Sequence, residues 1–283
     1  MTLFESHDLP FSVVSLGAFG AEIAGLDLNG VTEAYTRDLR AALARYQILV
    51  FRRQSLTPEA QIRVTQCFGV LEPGIARRPE AHQVPGHPNL LYLSNETNSP
   101  TSNYGMGWHS DGLAYARTPH GPTILHCFDC APGVGDTLFA SQYLAYGALS
   151  ASFQRLISDL YWHLPDIPFS EIPPGRGLAH PLIRVHAHTG KAFLFCSPAS
   201  RQILGMTRAE SAGILDVVHR IQVHEDFVYR HAWRKSDVVI WENCTLLHTR
   251  ADVVDVRRHG LRVMHRSAAA GDWQAIDCDA AEA

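Results

Sequence analysis

Short apolar segments with the residue pattern of β-strands recur along the whole chain, and no regular series of helices separates them. In a parallel α/β fold each strand would be followed by a helix, whereas here most of the connections are turns and loops. We therefore predict a mainly β protein with flanking helices, folded as an antiparallel barrel or sandwich in one domain spanning residues 1–283. The predicted strands are ILVFRR (48–53), PTILHCF (122–128), DTLFAS (136–141), DVVIW (237–241) and LRVMHR (261–266), with a hairpin over residues 180–197.

Helix signals flank these strands. Thr57 and Pro58 are typical of a helix N-terminus, and that helix is expected to end near Cys67. Thr207 and Glu210 form a capping box at the start of a second helix. Residues 32–45 and 143–161 are also predicted to be helical. Residues 69–107 show little periodicity and many Pro, Gly, His, Asn and Ser residues, so we predict that they form an active-site lid.

The overall composition argues against several classes of partner. The 283 residues carry a formal net charge of −4, so no global basic surface is available for nucleic acid. No apolar run reaches the roughly 18 residues of a membrane span, and the N-terminal segment lacks the basic start of a targeting signal. The scattered cysteines favour reduced thiols in the cytoplasm. Cys127 and Cys130 match the redox C-x-x-C pattern, but on a strand they are expected to face opposite sides.

Two metal-binding side chains stand one residue apart in GMGWHSDGLAY (105–115): His109 and Asp111. On an extended segment such residues lie on the same side, so both can reach one ion. Two imidazoles and one carboxylate leave one face of Fe(II) open, which is the arrangement of non-haem oxygenases. His248 is the candidate for the third ligand, because WENCTLLH follows a predicted strand and ends in a turn-like stretch. Because the chain holds sixteen histidines, a coincidental His-x-Asp pair stays an alternative at this point.

The last predicted strand carries closely spaced arginines. Period-two alternation in LRVMHR puts Arg262, Met264 and Arg266 on one face. Two guanidinium groups on a buried face are costly without anionic partners, and each can hold a carboxylate through two parallel hydrogen bonds. The pattern therefore indicates binding sites for small acids. Ion pairing within the barrel is the alternative role for Arg266.

Five blocks in a fixed order give the sequence a family resemblance. The blocks are W-H-S-D (108–111), G-D-T-L-F-A-S (135–141), H-P-L-I-R-V-H…T-G-K-A-F-L-F (180–195), W-E-N (241–243) with His248, and R-V-M-H-R (262–266). Together they resemble the taurine / 2,4-dichlorophenoxyacetate dioxygenase family of Fe(II)- and 2-oxoglutarate-dependent oxygenases. The likeness covers nearly the whole chain and is far more specific than His-x-Asp alone.

The resemblance implies a double-stranded β-helix (jelly-roll) core and an iron site. It implies that His109, Asp111 and His248 are the Fe(II) ligands and that 2-oxoglutarate and dioxygen are co-substrates. Oxidative decarboxylation of 2-oxoglutarate would release succinate and CO2 and generate the oxidant that attacks the substrate. Because halogenating relatives lack the carboxylate ligand, Asp111 implies hydroxylation, desaturation or cleavage rather than chlorination.

The resemblance also implies which residues bind the two organic molecules. Thr137 and Arg262 would bind the distal carboxylate of 2-oxoglutarate. Arg266 would face the anionic end of a small-molecule substrate. The predicted lid contacts of the substrate are Asn103, Tyr104 and Met106. Family members are commonly homodimers or tetramers, so we expect a homo-oligomer.

The match to the taurine enzymes fails beside the predicted lid. Those enzymes carry a histidine shortly after an F-G-x-L segment, where it helps to hold the sulfonate. Here Phe68-Gly69-Val70-Leu71 is followed by no such histidine, and the asparagine that precedes W-H-x-D in those enzymes is also absent. The sequence therefore argues against taurine as the substrate. His82 and His87 are the candidates to replace the missing histidine.

Two functions of other classes use part of the same residue set. A non-catalytic 2-oxoglutarate-binding or sensing protein could keep the fold, but it would not need all three metal ligands and both Arg262 and Arg266. A zinc hydrolase could use the same His/Asp/His set, but no general-base glutamate at a metalloprotease-like spacing is visible. An oxygenase is therefore the preferred hypothesis.

Overall fold

The computed structural model describes residues 10–114, 116–164 and 178–277. The strands are β1 (Ser12–Ser15), β2 (Ala21–Ala24), β3 (Ile48–Phe51), β4 (Gln83–Val84), β5 (His87–Ser94), β6 (His120–Asp129), β7 (Thr137–Ser141), β8 (Tyr161–Leu164), β9 (Leu178–Pro181), β10 (Ile183–Val185), β11 (Ala192–Leu194), β12 (Gln202–Ile203), β13 (Val228–His231), β14 (Val238–Trp241), β15 (Leu246–Arg250), β16 (Val263–Ala270) and β17 (Ile276–Asp277). The α-helices are α1 (Thr36–Tyr46), α2 (Pro58–Gln66), α3 (Pro73–Ala76), α4 (Gln142–Gly147), α5 (Ala151–Ile157), α6 (Arg208–Gln222) and α7 (Val256–His259).

The predicted mainly β architecture with flanking helices is confirmed. The largest sheet has eight strands in the order β1-β2-β3-β14-β6-β16-β5-β4, and a three-stranded sheet has the order β13-β7-β15. A four-stranded sheet (β12-β8-β9-β17) and the hairpin β10-β11 complete the sheets of the described residues. Apart from β2 and β3, which run parallel, the neighbouring strands are antiparallel, as short turn connections require.

Side-chain alternation along the strands places one core on each face of the eight-stranded sheet. On β3, Leu49 and Phe51 pack with the buried faces of α1 and α2. The alternate residues Ile48 and Val50 belong to a second cluster, which includes Phe139 of the three-stranded sheet. Burying one such side chain stabilises the fold by about 1.5–3 kcal/mol. Central strands such as β3 and β14 are therefore apolar at every position, because both faces of the sheet are covered.

Local signals located the helices well. The Thr57 hydroxyl accepts a hydrogen bond from the amide of Ala60 at the start of α2. Thr207 and Glu210 form the predicted capping box, and α6 ends one residue before the predicted end at Val223. Residues 143–161 form the two short helices α4 and α5 and then enter β8. Within the described ranges, no helix is both long and apolar enough to cross a membrane.

Three sequence-based expectations differ from the structure. The predicted lid over residues 69–107 contains β5, which pairs with β16 inside the main sheet. His248 lies on β15 rather than in a turn. Cys127 and Cys130 do not face opposite sides: β6 ends at Asp129, its pairing with β16 shifts register there, and both cysteines pack in the same apolar cluster. The described cysteines are all free thiols, and Cys278 lies outside the described residues.

Candidate active site

The structure brings together the three side chains predicted to bind a metal. His109 Nε2 lies 3.8 Å from Asp111 Oδ1, and His248 Nε2 lies 3.7 Å from Asp111 Oδ2. The two imidazole rings are 4.3 Å apart between centroids. An isolated antiparallel bridge holds them there, because the backbone amides and carbonyls of His109 and His248 exchange hydrogen bonds of 3.0 and 2.7 Å. One ion can therefore contact all three side chains.

Asn243 fixes the segment that carries Asp111. Its side-chain oxygen accepts the amide of Asp111, and its side-chain nitrogen donates to the carbonyls of Asp111 and His120. The Ser110 hydroxyl donates to the carbonyl of Asn243. Gly112 completes the turn at φ +77°, where an added Cβ would lie 2.8 Å from the His120 ring. The asparagine of the W-E-N block and the glycine after H-S-D are thus needed to hold the backbone that carries Asp111.

The protonation states of the three side chains suit a divalent cation. His109 Nδ1 lies 2.7 Å from the Gly107 carbonyl, so it donates there and leaves Nε2 free to bind a metal. Burial, followed by the proximity of His109, lowers the pKa of His248 to about 3 and keeps this imidazole neutral. Burial alone would raise the pKa of Asp111, but the charge of Arg266 outweighs burial and holds the pKa below its usual range.

Two buried atoms of the His109/Asp111/His248 cluster lack a protein hydrogen bond. Among the described residues, no partner hydrogen-bonds to Asp111 Oδ2 or to His248 Nδ1. Buried polar atoms nearly always have partners in proteins. Asp111 Oδ2 lies 3.2 Å from the Arg266 guanidinium and 3.7 Å from His248 Nε2 without a hydrogen bond to either, so this oxygen can also contact a metal ion. The donor set of two imidazoles and one carboxylate fits Fe(II).

A cavity of about 970 Å³ lies beside the three side chains. Its lining is rich in positive charge. The lining arginines are Arg77, Arg78, Arg117, Arg250, Arg262 and Arg266, whereas the lining carboxylates are those of Asp111 and Glu72. Apolar side chains form the rest of the wall, among them Val70, Leu71, Ile75, Leu91 and Leu93. The cavity therefore suits an organic anion with an apolar portion.

Arg262 and Thr137 line the same cavity, as predicted. Arg262 is only 7% exposed, and no described residue hydrogen-bonds to its Nε or forms a salt bridge with it. Burial and the nearby charge of Arg250 lower the pKa of Arg262 to about 10. The Thr137 hydroxyl accepts a hydrogen bond of 2.9 Å from the indole of Trp233, so its own proton is free to be donated elsewhere.

Gly135, the first residue of the G-D-T-L-F-A-S block, makes room for Arg262. It adopts φ +72°, and an added Cβ would lie 3.0 Å from Cδ and Nε of Arg262 and 2.7 Å from Val254. Arg262 is further positioned by its backbone amide, which donates to the side chain of Asn95 at 2.7 Å. A buried arginine held in this way, with no ion pair among the described residues, indicates a site for an anionic ligand.

The comparisons with known proteins agree with this site. The profile of the "Taurine catabolism dioxygenase TauD, TfdA family" matches residues 9–264. The chain belongs to this family. It is therefore an Fe(II)/2-oxoglutarate-dependent dioxygenase, with Fe(II) as its metal and 2-oxoglutarate as its co-substrate.

Individual relatives of the family cover most of the chain. The chain is 29% identical over 81% of its length to the alpha-ketoglutarate-dependent 2,4-dichlorophenoxyacetate dioxygenase of Burkholderia sp. (strain RASC), of which 85% is covered. It is 29% identical over 86% of its length to the alpha-ketoglutarate-dependent sulfonate dioxygenase of Saccharomyces cerevisiae, of which 64% is covered. A crystal structure of a taurine dioxygenase from Burkholderia xenovorans superimposes with a TM-score of 0.80 at 28% identity, covering 96% of this chain and 98% of that one.

Arg266 of this dioxygenase lines the cavity, as its predicted role requires, and also contacts two protein side chains. It lies 3.2 Å from Asp111 Oδ2 and donates to His120 Nδ1 at 2.8 Å. His120 Nε2 lies 3.5 Å from a carboxylate oxygen of Glu72, whose side chain also caps α3. Burial, followed by the charge of Arg266, lowers the pKa of His120 to about 4, so this imidazole is neutral. Arg266 thus orients the predicted metal ligand as well as lining the cavity.

The predicted lid residues are only partly brought to the site. Tyr104 and Met106 line the cavity, whereas Asn103 is exposed and lies outside its lining. A substrate contact at Asn103 stays a prediction from the sequence. Of the histidine candidates, His87 lies 3.5 Å from Glu59, and neither it nor His82 lines the cavity.

Sequence reasoning missed four residues of the site. Glu72 and His120 form the chain of contacts to Arg266, Asn243 fixes the Asp111 segment, and Arg250 lines the cavity beside Arg262. Asn243 stood in a quoted block without a role. Arg250 follows His248 by two residues, and strand alternation could have placed both on one face. No local pattern distinguishes Glu72 or His120 from ordinary residues.

Proposed function

We propose that this dioxygenase hydroxylates a small organic anion and releases succinate and CO2. The observation that carries the proposal is the pairing of two sites in one cavity: a His/Asp/His cluster, and a buried arginine, Arg262, that forms no ion pair with any residue the structure describes. The relatives named above act on an aryloxyacetate and on sulfonates, and both classes join an anionic group to an organic body. Desaturation and oxidative cleavage of the same substrate are the alternative outcomes.

In this proposal His109, Asp111 and His248 hold Fe(II). When bound, Fe(II) and 2-oxoglutarate would supply the oxidising chemistry of the reaction. The contribution of the protein is orientation: the bridge between the His109 and His248 backbones and the contacts of Asn243 hold the ligand atoms before any metal arrives. Preorganisation of this kind lowers the cost of binding, because little conformational freedom is lost.

Arg262 and Thr137 are proposed to bind the distal carboxylate of 2-oxoglutarate. The guanidinium group would donate two parallel hydrogen bonds, and the Thr137 hydroxyl, which already accepts from Trp233, would donate a third. Binding would also relieve the repulsion between Arg262 and Arg250, since the ligand adds negative charge between two buried cations.

The substrate is proposed to place its anionic group near Arg266 and its organic body against the apolar wall. Ligand sites for drug-sized molecules have volumes of roughly 300–1,000 Å³, and the cavity of about 970 Å³ has room for a substrate larger than taurine beside 2-oxoglutarate. Tyr104 and Met106 would contact this substrate from the predicted lid, whose remaining part is residues 95–107 and 69–82. Aryloxyalkanoates and larger sulfonates or sulfate esters fit this description best.

We further infer that the eight-stranded and three-stranded sheets form the double-stranded β-helix core of the family. The cavity supports this, because its lining comes from strands of both sheets, including β6 and β16 of the larger sheet and β7 and β15 of the smaller one. A homo-oligomeric state and a cytoplasmic location stay predictions from the sequence.

Succinate formation tests the proposed function directly. Purified protein would be incubated with Fe(II), 2-oxoglutarate, ascorbate and oxygen, together with a panel of aryloxyalkanoates, sulfonates and sulfate esters. We expect substrate-dependent succinate with at least one class, and a product of added mass corresponding to one oxygen atom. His109→Ala should abolish turnover, whereas the control His224→Ala, at an exposed position outside the cavity, should leave it unchanged.

Two results would change the proposal in different ways. Succinate with a product that has lost two hydrogens would replace hydroxylation by desaturation. The absence of turnover across the panel, combined with equal 2-oxoglutarate binding by His109→Ala and the unmodified protein, would overturn the assignment of these residues.

A further inference from the structure

A second group of metal-binding side chains lies on the other side of the loop that follows β14. Among the described residues, the ligand atoms of His186, Glu242 and Cys244 all lie within 4.8 Å of one another, as do those of the active-site triad. His186 comes from the turn between β10 and β11, and Glu242 and Cys244 flank Asn243. Asn243 contacts the Asp111 segment, whereas its two neighbours, Glu242 and Cys244, lie beside His186.

The distances within this group match those between ligands of one zinc ion. His186 Nε2 lies 3.7 Å from Glu242 Oε2, and Cys244 Sγ lies 3.3 Å from Glu242 Oε1. In tetrahedral zinc sites the corresponding separations are about 3.3 Å for nitrogen and oxygen and about 3.5 Å for sulfur and oxygen. The His186–Glu242 separation also equals the 3.7 Å between His248 and Asp111 in the triad.

Thiolate, imidazole and carboxylate together are ligands that favour zinc over calcium or magnesium. The side chain of His186 is buried, and Cys244 and Glu242 are partly buried, so the three lie at the inner wall of a pocket rather than on an open surface. That pocket has a volume of about 100 Å³, which leaves room for a water molecule as the fourth ligand.

The ring of His186 is already turned with Nε2 toward the other two side chains. Its Nδ1 accepts two long contacts of 3.3 Å from the backbone amides of His188 and Thr189. Metal binding at Nε2 would move the ring proton to Nδ1 and break these two weak hydrogen bonds. That loss is small beside a zinc–thiolate bond, and the short turn that donates them is free of regular secondary structure.

We propose that His186, Glu242 and Cys244 form a zinc site that is separate from the iron triad. Zinc binding deprotonates the Cys244 thiol, and its proton passes to solvent, as for thiolate ligands in general. The bound ion ties the β10–β11 turn to the loop 242–244. Asn243 of this loop hydrogen-bonds to the backbone of Asp111 and of His120. By fixing the loop, the zinc ion therefore also stabilises the position of the iron ligand Asp111.

Cobalt(II) is the probe that tests this site, since it replaces zinc and absorbs in the near ultraviolet when it is bound by thiolate. The titration uses metal-free full-length protein carrying His109→Ala, which weakens the triad without touching the second site. We expect one equivalent of cobalt to produce the thiolate band and zinc to displace it. Cys244→Ser should remove the band and weaken zinc binding at least 100-fold. Cys130→Ser is the matched control and should keep both.

Each outcome of this titration decides the matter. A band that persists in Cys244→Ser, or no band in the parent protein, overturns the zinc site. The same holds if His186→Gln binds zinc as tightly as the parent. The result is independent of turnover, so failure of the proposed oxygenase reaction and failure of the zinc site are distinguishable.

Discussion

Replacing Arg262 by methionine is expected to change ligand binding and protein stability in opposite directions. Methionine is close to arginine in length, so Arg262→Met removes the charge with little loss of packing. In the protein without 2-oxoglutarate, Arg262 is buried, has no salt bridge within the described residues and lies near a second cation, Arg250. The substitution therefore removes an unfavourable charge from the free protein and the main favourable contact from the complex.

The structure gives a magnitude for each effect. Burial first, and then Arg250, lower the pKa of Arg262 from an ordinary 12.5 to about 10. At about 1.4 kcal/mol per tenfold change, this corresponds to about 3 kcal/mol of destabilisation at any pH below about 10. Loss of one partner from a buried, hydrogen-bonded charge pair costs about 2–5 kcal/mol. The Kd of 2-oxoglutarate should therefore rise between about 30-fold and about 4,000-fold.

Two assays measure these changes. Urea unfolding of the ligand-free protein gives the free energy of unfolding, which should increase by about 1–3 kcal/mol in Arg262→Met. Anaerobic calorimetric titration of the Fe(II)-loaded protein gives the Kd of 2-oxoglutarate. Lys191, an exposed residue outside the cavity, supplies the matched control Lys191→Met, which should change neither value. A ligand-free Arg262→Met protein that is less stable than the parent, or a Kd that changes less than tenfold, would refute the reasoning.

Three further substitutions test other parts of the fold and site. Asn243→Ala removes the contacts that hold Asp111, so the Kd of Fe(II), measured by anaerobic titration, should rise about 10- to 100-fold; an unchanged Kd would contradict this role. Gly135→Ala places a Cβ 3.0 Å from Arg262 at φ +72°, so it should weaken 2-oxoglutarate binding in calorimetry much more than Fe(II) binding. His180 is buried, and burial first, then Arg184, lowers its pKa to about 3. As the pH falls from 6.5 toward about 3, the unfolded chain binds a proton at His180 and the folded protein does not, so the free energy of unfolding decreases. In His180→Phe the loss of thermal stability between about pH 7 and pH 5 should therefore be smaller than in the parent protein. Melting temperatures that fall equally with pH in the two proteins would disprove this.

Local patterns sufficed for the parts of the fold that local contacts determine. The capping box of Thr207 and Glu210 fixes the start of α6 by hydrogen bonds within one turn, and the predicted helix agrees with the structure. The strand β5, HPNLLYLS, escaped prediction because its apolar run is short and begins with His-Pro-Asn. Its stability comes from pairing with β16, about 170 residues away in the chain, and no window of sequence contains that partner.

The difference between local patterns and long-range contacts also explains which site residues could be predicted from the sequence. His109 and Asp111 are neighbours in sequence, and Arg262 and Arg266 are placed on one face by strand alternation, so the structure brings all four to one cavity. The contact of Cys127 with Cys130 depends on a register shift against β16 and could not be derived from the C-x-x-C spacing. Glu72, His120 and Arg266 meet only because three separate elements converge.

That convergence determines how the substrate can be recognised. One terminal nitrogen of Arg266 is already shared by Asp111 and His120, and its Nε is buried with no hydrogen-bond partner among the described residues. An anionic group that takes up this Nε gains one contact worth about 1.5–3 kcal/mol. An aromatic body that buries about 150–200 Å² against the apolar wall gains about 4–5 kcal/mol. The apolar body outweighs the anionic group, so affinity should follow apolar area, and taurine, which has almost none, should be a poor substrate.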